Sequence, residues 1–350
     1  MDRLAGRLKH YDWGSATALS DLRGVEPSGR PEAELWFGSG DGPGSDLPYL
    51  VKVLAVDRPL SLQVHPDDAR ARAGFAAEEA AGVAMDSSGR VFVDDRAKPE
   101  LASAVTPFEV LCGLRPVDEA LDAATALGLP DGLTAGLAAD GPAAWPTLVG
   151  EALRGGWSEA VAALVDRCRP GVEGRWADTA ELVARLADLH PGDPALLVVP
   201  MLCHHRLQPG EAVFVGPGVP HLYLSGLAVE VMPPGDNVLR GGLTAKWVDV
   251  PALVEALDPT AGAPPVQRAT SDVHRYDVPG DDFGVWRVTD TGIDVEDRIG
   301  PDLVLGMAGS TTVGDDLVIG PGEAAVVPEA DGPYRLATDG LAYLVTVGAA

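Results

Sequence analysis

Two side chains that could bind a metal ion lie close together in the stretch P-L-S-L-Q-V-H-P, residues 59–66. Its apolar residues alternate with polar ones, and this period of two predicts a strand with one apolar face and one polar face. Gln63 and His65 would therefore be neighbours on one face and could reach the same ion. An ordinary solvent-facing strand has the same pattern, so the metal-site interpretation depends on ligands from other parts of the chain.

Two more candidate ligands come from later segments. Glu100 follows Lys98 across a proline in K-P-E-L. An extended backbone would place both on one face, although a surface ion pair in a loop is the alternative. His221 ends Q-P-G-E-A-V-F-V-G-P-G-V-P-H, where a rigid turn beside a strand end would hold its imidazole. His204 and His205 are weaker candidates, because adjacent residues of a strand point in opposite directions.

The four candidates Gln63, His65, Glu100 and His221 offer two imidazoles, one carboxylate and one amide oxygen. This mixed set suits a borderline divalent ion, with zinc expected first and manganese, iron or cobalt as alternatives. No thiolate belongs to the set, which argues against a closed structural zinc site. A site built from these four ligands leaves coordination positions for water or substrate oxygens.

Lysines are concentrated near these candidates. Of the 26 basic residues only four are lysines, and Lys52, Lys98 and Lys246 lie in the segments of interest. A lysine kept in a chain that otherwise uses arginine indicates a position where a compact, titratable ammonium matters. Lys52 interrupts the apolar strand Y-L-V-K-V-L-A-V, so it must reach the surface or face a polar cavity.

A carboxylate and an arginine complete the set of candidate functional groups. Glu230 lies within the apolar strand L-A-V-E-V-M, and a buried carboxylate is rare unless it is paired or catalytic. Arg240 and Lys246 follow in D-N-V-L-R-G-G-L-T-A-K. Positive groups beside a metal suit an anionic, oxygen-rich substrate such as a sugar phosphate.

Short strands and turns must position these residues, because helical patterns are confined to the middle of the chain. Within residues 116–196, Val161, Leu164, Val165 and Cys168 share one helical stripe. Asp178 and Glu181 resemble a capping box at the start of another helix. This predicts a helical insertion that packs a small core of its own and contains no catalytic residues.

A short internal repeat predicts two related strand sandwiches. P-G-E-A-V-F-V-G-P begins at Pro209, and P-G-E-A-A-V-V-P begins at Pro321. The same offset places Pro333 at the position of His221, so the second sandwich is expected to lack the metal. Its expected role is structural.

Composition and charge exclude several classes of protein. The chain has 350 residues, of which 46% are hydrophobic, and its net charge of −26 argues against binding to nucleic acid or to anionic membranes. No apolar run is long enough to span a bilayer, and the first ten residues show no secretory signal. The run G-S-G-D-G-P-G-S, residues 38–45, is expected to be a surface loop without a ligand. Cys112, Cys168 and Cys203 are predicted to be reduced thiols of a cytoplasmic protein.

Several of these segments, in order and with sensible spacing, resemble the type I phosphomannose isomerases. They are P-L-S-L-Q-V-H-P, K-P-E-L, P-G-E-A-V-F-V with the following P-H, and D-N-V-L-R-G-G-L-T-A-K. Y-D-W-G-S and A-E-L-W-F-G also match, and their Trp13 and Trp36 are predicted to be buried. The resemblance extends from about residue 8 to residue 257, and the C-terminal sandwich also fits.

The resemblance implies a mainly β fold of the cupin type, a double-stranded β-helix or jelly roll present twice, with a small all-α domain. The metal-binding catalytic domain would comprise residues 1–115 and 197–265, with the helical insertion at 116–196 and a jelly roll without metal at 266–350. The expected reaction interconverts mannose 6-phosphate and fructose 6-phosphate through an enediolate, with one Zn²⁺ per chain. A sugar phosphate is the expected partner of a cytoplasmic monomer that binds neither nucleic acid nor membrane.

By motif match, the family's zinc ligands correspond to Gln63, His65, Glu100 and His221. Its other active-site groups correspond to Ser61, Lys52, Lys98, Glu230, Arg240 and Lys246. Arg240 is assigned to stabilising the enediolate, Lys98 or Glu230 to proton transfer, and Lys246 to the phosphate. Ser61 and Lys52 are assigned to binding the substrate.

The chain departs from the family pattern at three places. The family often has a histidine before K-P-E, where this chain has Ala97, so a mechanism that requires that histidine for proton transfer does not hold here. Leu222 follows the metal-binding histidine where a smaller residue is usual, and Pro233–Gly235 replaces a more polar run.

Two alternative functions are an iron-dependent cupin dioxygenase and a sugar-phosphate-binding regulator without turnover.

Overall fold

The computed structural model describes residues 1–38 and 46–348 of the chain. Within these residues the strands form sheets of eleven, six and four strands, and most helices lie between two groups of strands. The protein is therefore mainly β with several helices, as predicted. Apart from Gly38, the surface loop expected at residues 38–45 lies outside the described residues. In the described part of the chain, no helix is both long and apolar enough to cross a membrane.

The elements are numbered along the chain. The strands are β1 (Asp2–Leu4), β2 (Arg7–Lys9), β3 (Glu34–Phe37), β4 (Leu50–Val56), β5 (Gln63–Val64), β6 (Glu100–Ala104), β7 (Phe108–Leu114), β8 (Leu202–Leu207), β9 (Glu211–Val215), β10 (His221–Met232), β11 (Leu239–Arg240), β12 (Gln267–Arg268), β13 (Val273–Arg275), β14 (Phe283–Thr289), β15 (Gly292–Val295), β16 (Asp302–Ala308), β17 (Thr311–Val313), β18 (Leu317–Ile319), β19 (Ala324–Val327), β20 (Tyr334–Thr338) and β21 (Leu341–Val347). The helices are α1 (Ala18–Arg23), α2 (Asp68–Ala80), α3 (Val117–Leu127), α4 (Asp131–Asp140), α5 (Trp145–Leu153), α6 (Ser158–Cys168), α7 (Ala177–Leu189) and α8 (Val250–Ala256). Short 3-10 turns occupy Gly141–Ala144, Pro194–Leu197, Val199–Met201 and Glu329–Asp331.

The twelve-residue strand β10 organises the eleven-stranded sheet. Its C-terminal half pairs with β4 and β6, and its N-terminal half pairs with β5 and β7. All seven residues of β4 are buried, including Lys52, because this strand lies between β3 and β10. A strand with neighbours on both sides and both faces covered has the continuous apolar run that its sequence showed.

The strand predicted over residues 59–66 is shorter than expected. Only Gln63 and Val64 form a ladder, opposite β10 on one side and β11 on the other. Outside this pair, the backbone N–H groups of Leu60 and Leu62 donate single hydrogen bonds to other segments. The strand also does not pair with β4, whose neighbours are β3 and β10. Prolines at both ends of the stretch, which lack an N–H donor, favour a short strand.

The helical segment does not pack a separate core, so that prediction is wrong. Buried side chains of α3–α7 form one continuous cluster with β-strand residues that include Val64, Leu111 and Leu222. The predicted capping box is also wrong, because α7 begins at Ala177 and the Asp178 carboxylate binds Arg206 of β8 instead. Apolar side chains of this segment thus pack against the strands, and the Asp178 carboxylate accepts a hydrogen bond from a strand residue.

Two short strands pair outside the predicted domains: β1, near the first residue, and β12, at the start of the predicted C-terminal domain. β1 pairs with β19 in the six-stranded sheet, whereas β12 pairs with β9 in the eleven-stranded sheet. Residues 2–4 therefore lie in the C-terminal sheet rather than in the first domain that the boundaries assigned. The two P-G-E segments form the same turn: Gln208 N–H donates to Glu211 Oε2 at 2.9 Å, and Gly320 N–H donates to Glu323 Oε2 at 2.8 Å.

Candidate functional site

Three predicted metal ligands converge at one buried point. Candidate ligand atoms of His65, Glu100 and His221 all lie within 4.8 Å of one another. His65 Nε2 is 3.3 Å from one carboxylate oxygen of Glu100, and His221 Nε2 is 3.8 Å from the other. Each residue starts or follows a strand, and pairing of β5 with β10 places Gln63 directly opposite His221.

The hydrogen bonds of the two imidazoles fit metal binding. His65 Nδ1 donates to the Asn237 carbonyl at 2.7 Å, and His221 Nδ1 donates to the Val219 carbonyl at 3.1 Å. A carbonyl can only accept, so each ring carries its proton on Nδ1 and presents the Nε2 lone pair to the site. The Nε2 atom of His65 is buried and has no hydrogen-bond partner among the residues that the structure describes. Such a nitrogen beside a carboxylate is suited to a divalent ion.

The protonation states also suit metal ligands. Burial, and then the nearby His65, lower the pKa of His221 to about 4. Burial and the Lys98 ammonium lower the pKa of His65. Burial alone would raise the pKa of Glu100, but Lys98, with Nζ 2.8 Å from its carboxylate, and the imidazoles hold that pKa well below the usual range. Neutral imidazoles and an ionised carboxylate at neutral pH are the forms that bind a metal ion.

The cluster opens into a cavity of about 660 Å³, which is large enough for a sugar phosphate. Predicted metal ligands in its wall are Gln63, Glu100 and His221. The other predicted site residues that line it are Ser61, Lys52, Lys98, Glu230, Arg240 and Lys246. The structure therefore brings these predicted residues to one cavity, although they come from widely separated segments.

An ion pair forms one wall of the cavity. Lys52 of β4 lies opposite Glu230 of β10, with Nζ 2.9 Å from Oε2. Burial, and then the charge of Glu100, raise the pKa of Glu230 to about 7. Burial alone would lower the pKa of Lys52, but attraction to Glu230 raises it above its ordinary value. A carboxyl group that titrates near neutrality, held by a cation, is a candidate for proton transfer.

Arg240 and Lys246 are the two other cations of the predicted site that line the cavity. Arg240 belongs to β11 and lies opposite Gln63 in the ladder with β5. Burial, and then the neighbouring Arg240, lower the pKa of Lys246. Lys246 is exposed, whereas Lys52 and Lys98 are buried. The cavity thus has two buried lysines beside the metal cluster, a half-buried arginine and an exposed lysine.

Several residues of the site were missed or misjudged from the sequence. Trp13 and Trp36 are partly exposed and line the cavity rather than lying in the core. Trp36 Nε1 donates to Glu34 Oε2 at 2.7 Å, and the Tyr223 hydroxyl donates to Glu100 Oε2 at 3.2 Å. Trp36 lies in the quoted motif A-E-L-W-F-G, and period-two alternation from His221 would have placed Tyr223 on the same face as that histidine.

The departures from the family pattern lie at different distances from the cavity. Leu222 points away from it into the core shared with the helices, as strand alternation requires. Ala97 is partly exposed, and its backbone N–H donates to Asp68. Gly235 lies beside the segment that contains Asp94 and Ala97, so this departure does border the loop that leads to Lys98 and Glu100.

Comparison with known proteins gives a consistent result. Residues 39–117 match the family model of the phosphomannose isomerase type I catalytic domain. Mannose-6-phosphate isomerase of Escherichia coli strain K12 is 34% identical over 333 residues, which span 81% of this chain and 82% of the relative. Mannose-6-phosphate isomerase 1 of Arabidopsis thaliana is 30% identical over 346 residues, which span 81% of this chain and 77% of the relative.

Solved structures of the same enzyme share the whole fold. The mannose 6-phosphate isomerase of Salmonella typhimurium bound to its substrate and to zinc superposes with a TM-score of 0.87 at 27% identity, over 99% of this chain and 98% of that one. A zinc-bound structure of mannose 6-phosphate isomerase gives a TM-score of 0.88 at the same identity and coverage. Sequence and fold agree over most of both chains, and the chain therefore belongs to the mannose-6-phosphate isomerase family.

Proposed function

We propose that this protein interconverts mannose 6-phosphate and fructose 6-phosphate. The observation that carries the proposal is the meeting of the ligand cluster His65, Glu100 and His221 with a carboxyl group and several cations in one cavity. An aldose–ketose isomerase must move a proton between C2 and C1 and stabilise the enediolate that forms. The cavity contains groups for both tasks.

One zinc ion per chain is the proposed cofactor. His65 and His221 would bind it through Nε2, with Glu100 and Gln63 as oxygen ligands. When bound, the ion supplies Lewis-acid polarisation of the sugar oxygens. The neutral imidazoles, the ionised Glu100 and the unpartnered Nε2 atom of His65 support this assignment.

Glu230 is the proposed group for proton transfer, because its carboxyl group lines the cavity and burial, the largest cause, raises its pKa above the usual range. Lys52 orients this carboxyl group through the buried ion pair. Lys98 is the second candidate, but its ammonium is bound to Glu100 at 2.8 Å, which favours a role in holding that ligand and the sugar oxygens. Because position 97 is an alanine, no histidine is available there, and Glu230 is the group that we assign to proton transfer.

The remaining cations are proposed to bind the charged parts of the substrate. Arg240 is half-buried, and its guanidinium would donate hydrogen bonds to the enediolate oxygen. Lys246 is exposed at the solvent side and would bind the phosphate. The Ser61 hydroxyl lines the same cavity and would hydrogen-bond the sugar. In this proposal the phosphate faces solvent and the reacting carbons face the metal cluster.

We also propose that the fold is a cupin jelly roll present twice, with domains at 1–115 plus 197–265, 116–196 and 266–350, except that residues 2–4 pair with the C-terminal sheet and residues 267–268 with the eleven-stranded sheet. The neighbours β9, β6, β10 and β4 have counterparts in β19, β16, β21 and β14. Glu100 lies opposite Val215, and Asp302 lies opposite Val327 at the matching place of the second sheet. Arg298 Nε lies 2.7 Å from Asp302 Oδ2. The Asp302 carboxylate is therefore paired with an arginine rather than available to a metal ion, as expected for a sandwich without metal.

The proposal is tested by a coupled assay of mannose 6-phosphate to fructose 6-phosphate on the purified protein, after chelation, and after zinc is restored. Activity that disappears on chelation and returns with zinc is the expected result. No turnover at full zinc occupancy would contradict the isomerase assignment. The expected monomer and cytoplasmic location belong to the same proposal and are checked by light scattering and by cell fractionation.

A further inference from the structure

Asn237 connects two parts of the metal site that come from distant segments of the chain. Its side chain is fully buried, next to the cavity-lining Asp236. It is also the only asparagine in the 350-residue sequence. A buried amide needs partners for both its oxygen and its nitrogen, so its contacts define what it holds in place.

The Asn237 side chain holds the backbone of residues 93–96. Its Oδ1 accepts from the N–H groups of Val93 at 2.9 Å and Asp94 at 3.4 Å. Its Nδ2 donates at 2.9 Å to the carbonyls of Asp94 and Arg96 and to Asp94 Oδ1. These partners determine the orientation of the amide, because the groups on one side only donate and those on the other only accept. The segment leads directly to Lys98 and Glu100.

The Asn237 main chain holds a second ligand. Its carbonyl accepts the Nδ1 proton of His65 at 2.7 Å, which orients the ring and keeps Nε2 free for a metal. Asp94 strengthens the same connection, because its Oδ2 accepts from the backbone N–H of Asp236 at 2.7 Å. Hydrogen bonds to Asn237 thus position both His65 and the segment that precedes Glu100.

We propose that Asn237 is the positioning residue of the metal site, holding His65 with its carbonyl and the approach to Glu100 with its amide. The inference rests on the proposed function insofar as the bound ion is the zinc of that reaction. A metal site needs its ligands held within about 0.5 Å of the productive geometry. His65 and Glu100 come from separate segments of the chain, and Asn237 links these segments by hydrogen bonds rather than by sheet pairing.

The test is the isosteric variant Asn237→Asp. In this variant a carboxylate oxygen replaces the Nδ2 donor and would face two carbonyls and the Asp94 carboxylate, all of which are acceptors. The main-chain carbonyl of residue 237, which accepts from His65, is unchanged. The matched control is Gln267→Glu, because both polar atoms of the Gln267 amide also bind the main chain. Nε2 donates to the Asp277 carbonyl at 2.8 Å, and Oε1 accepts from the Asp277 N–H at 2.6 Å. Zinc affinity is measured by chelator competition, and the His65 tautomer by long-range ¹H–¹⁵N NMR.

We expect the zinc affinity of Asn237→Asp to fall about 10- to 100-fold and the Nδ1–H signature of His65 to shift, with Gln267→Glu close to wild type in both. Equal zinc affinity in the two variants would overturn the proposal, even if Asn237→Asp melts at a lower temperature. If Asn237→Asp does not fold, Asn237→Ser is measured in the same way, with a loss of about tenfold expected and wild-type affinity contradicting the proposal. Zinc affinity is independent of turnover, so failure of the isomerase assay would leave this result interpretable.

Discussion

Lys52 and Glu230 form a buried ion pair across the two central strands of the large sheet, with Nζ 2.9 Å from Oε2 and at most 5% of either side chain exposed. Burying two charges removes them from water, and only their mutual attraction compensates for that loss. A pair of this kind is weak support for stability, so we interpret it as a functional device. It keeps a carboxyl group with a pKa of about 7 at a defined position in the cavity.

Replacing Glu230 by Gln is therefore expected to lower kcat by about 10²- to 10⁴-fold, because the amide cannot accept the proton. Zinc affinity should stay within a few-fold of wild type, since Glu230 is not among the proposed ligands. The measurements are the coupled isomerase assay and chelator competition. Glu32→Gln is the matched control, because Glu32 is equally buried and is paired with Arg23 elsewhere in the chain. Unchanged kcat in Glu230→Gln would remove Glu230 from the mechanism.

Zinc is expected to stabilise the folded protein and to require His221. Ligand that binds only the folded state adds about 2.7 kcal/mol when its free concentration is 100 times Kd. Thermal unfolding with and without zinc should show this gain in wild type and little of it in His221→Ala. His274→Ala changes a histidine that packs against Tyr276 away from the metal cluster and should keep the full gain. Equal stabilisation of the two variants would contradict the assigned ligands.

Lys246→Met is expected to raise KM for mannose 6-phosphate about tenfold or more while kcat changes little, because the lost cation binds a part of the substrate that does not react. Lys246→Arg should recover part of the affinity, since it restores the charge. Lys9→Met is the control, because Lys9 lies over the Trp36 ring, 4.5 Å from its centroid, and was assigned no contact with substrate. A fall in kcat with unchanged KM would place Lys246 at the reacting carbons instead.

Glu109 is expected to make folding stability depend on pH. Burial alone would raise its pKa, but His204 and Arg185 lower it from 4.5 to about 2. A pKa that is lower in the folded than in the unfolded state adds stability above about pH 4.5, and that contribution is lost as the pH falls toward 2. Glu109→Gln should therefore destabilise the protein by about 1–2 kcal/mol at pH 7, after allowance for partial exposure.

This pH dependence is checked by urea unfolding at a series of pH values. The difference between wild type and Glu109→Gln should shrink below about pH 4.5, because protonation removes the charge that Arg185 and His204 bind. Glu119→Gln, in the surface pair with Arg175, should change stability by less than about 0.5 kcal/mol throughout. A difference that grows as the pH falls would contradict the assigned cause.

Local patterns in the sequence were sufficient to predict several elements of the site. The apolar run around Lys52 and the one around Glu230 predicted buried strands, and β4 and β10 occupy those residues. The P-G-E repeat also marked two turns with the same hydrogen bond. These inferences succeed because side-chain alternation and turn chemistry depend on neighbours in sequence. The assignment of the four ligands to zinc stays a prediction.

Tertiary structure alone decided how those elements meet. Register across β5, β10 and β11 places Gln63 opposite both His221 and Arg240, which are more than 150 residues away, and no local pattern encodes that pairing. Other long-range contacts put residues 2–4 into the C-terminal sheet and join the core of the helices to the strands. The role of Asn237 also depends on tertiary structure, because its partners come from residues 65 and 93–96. A buried amide shows its function only when the groups it binds are brought to it by folding.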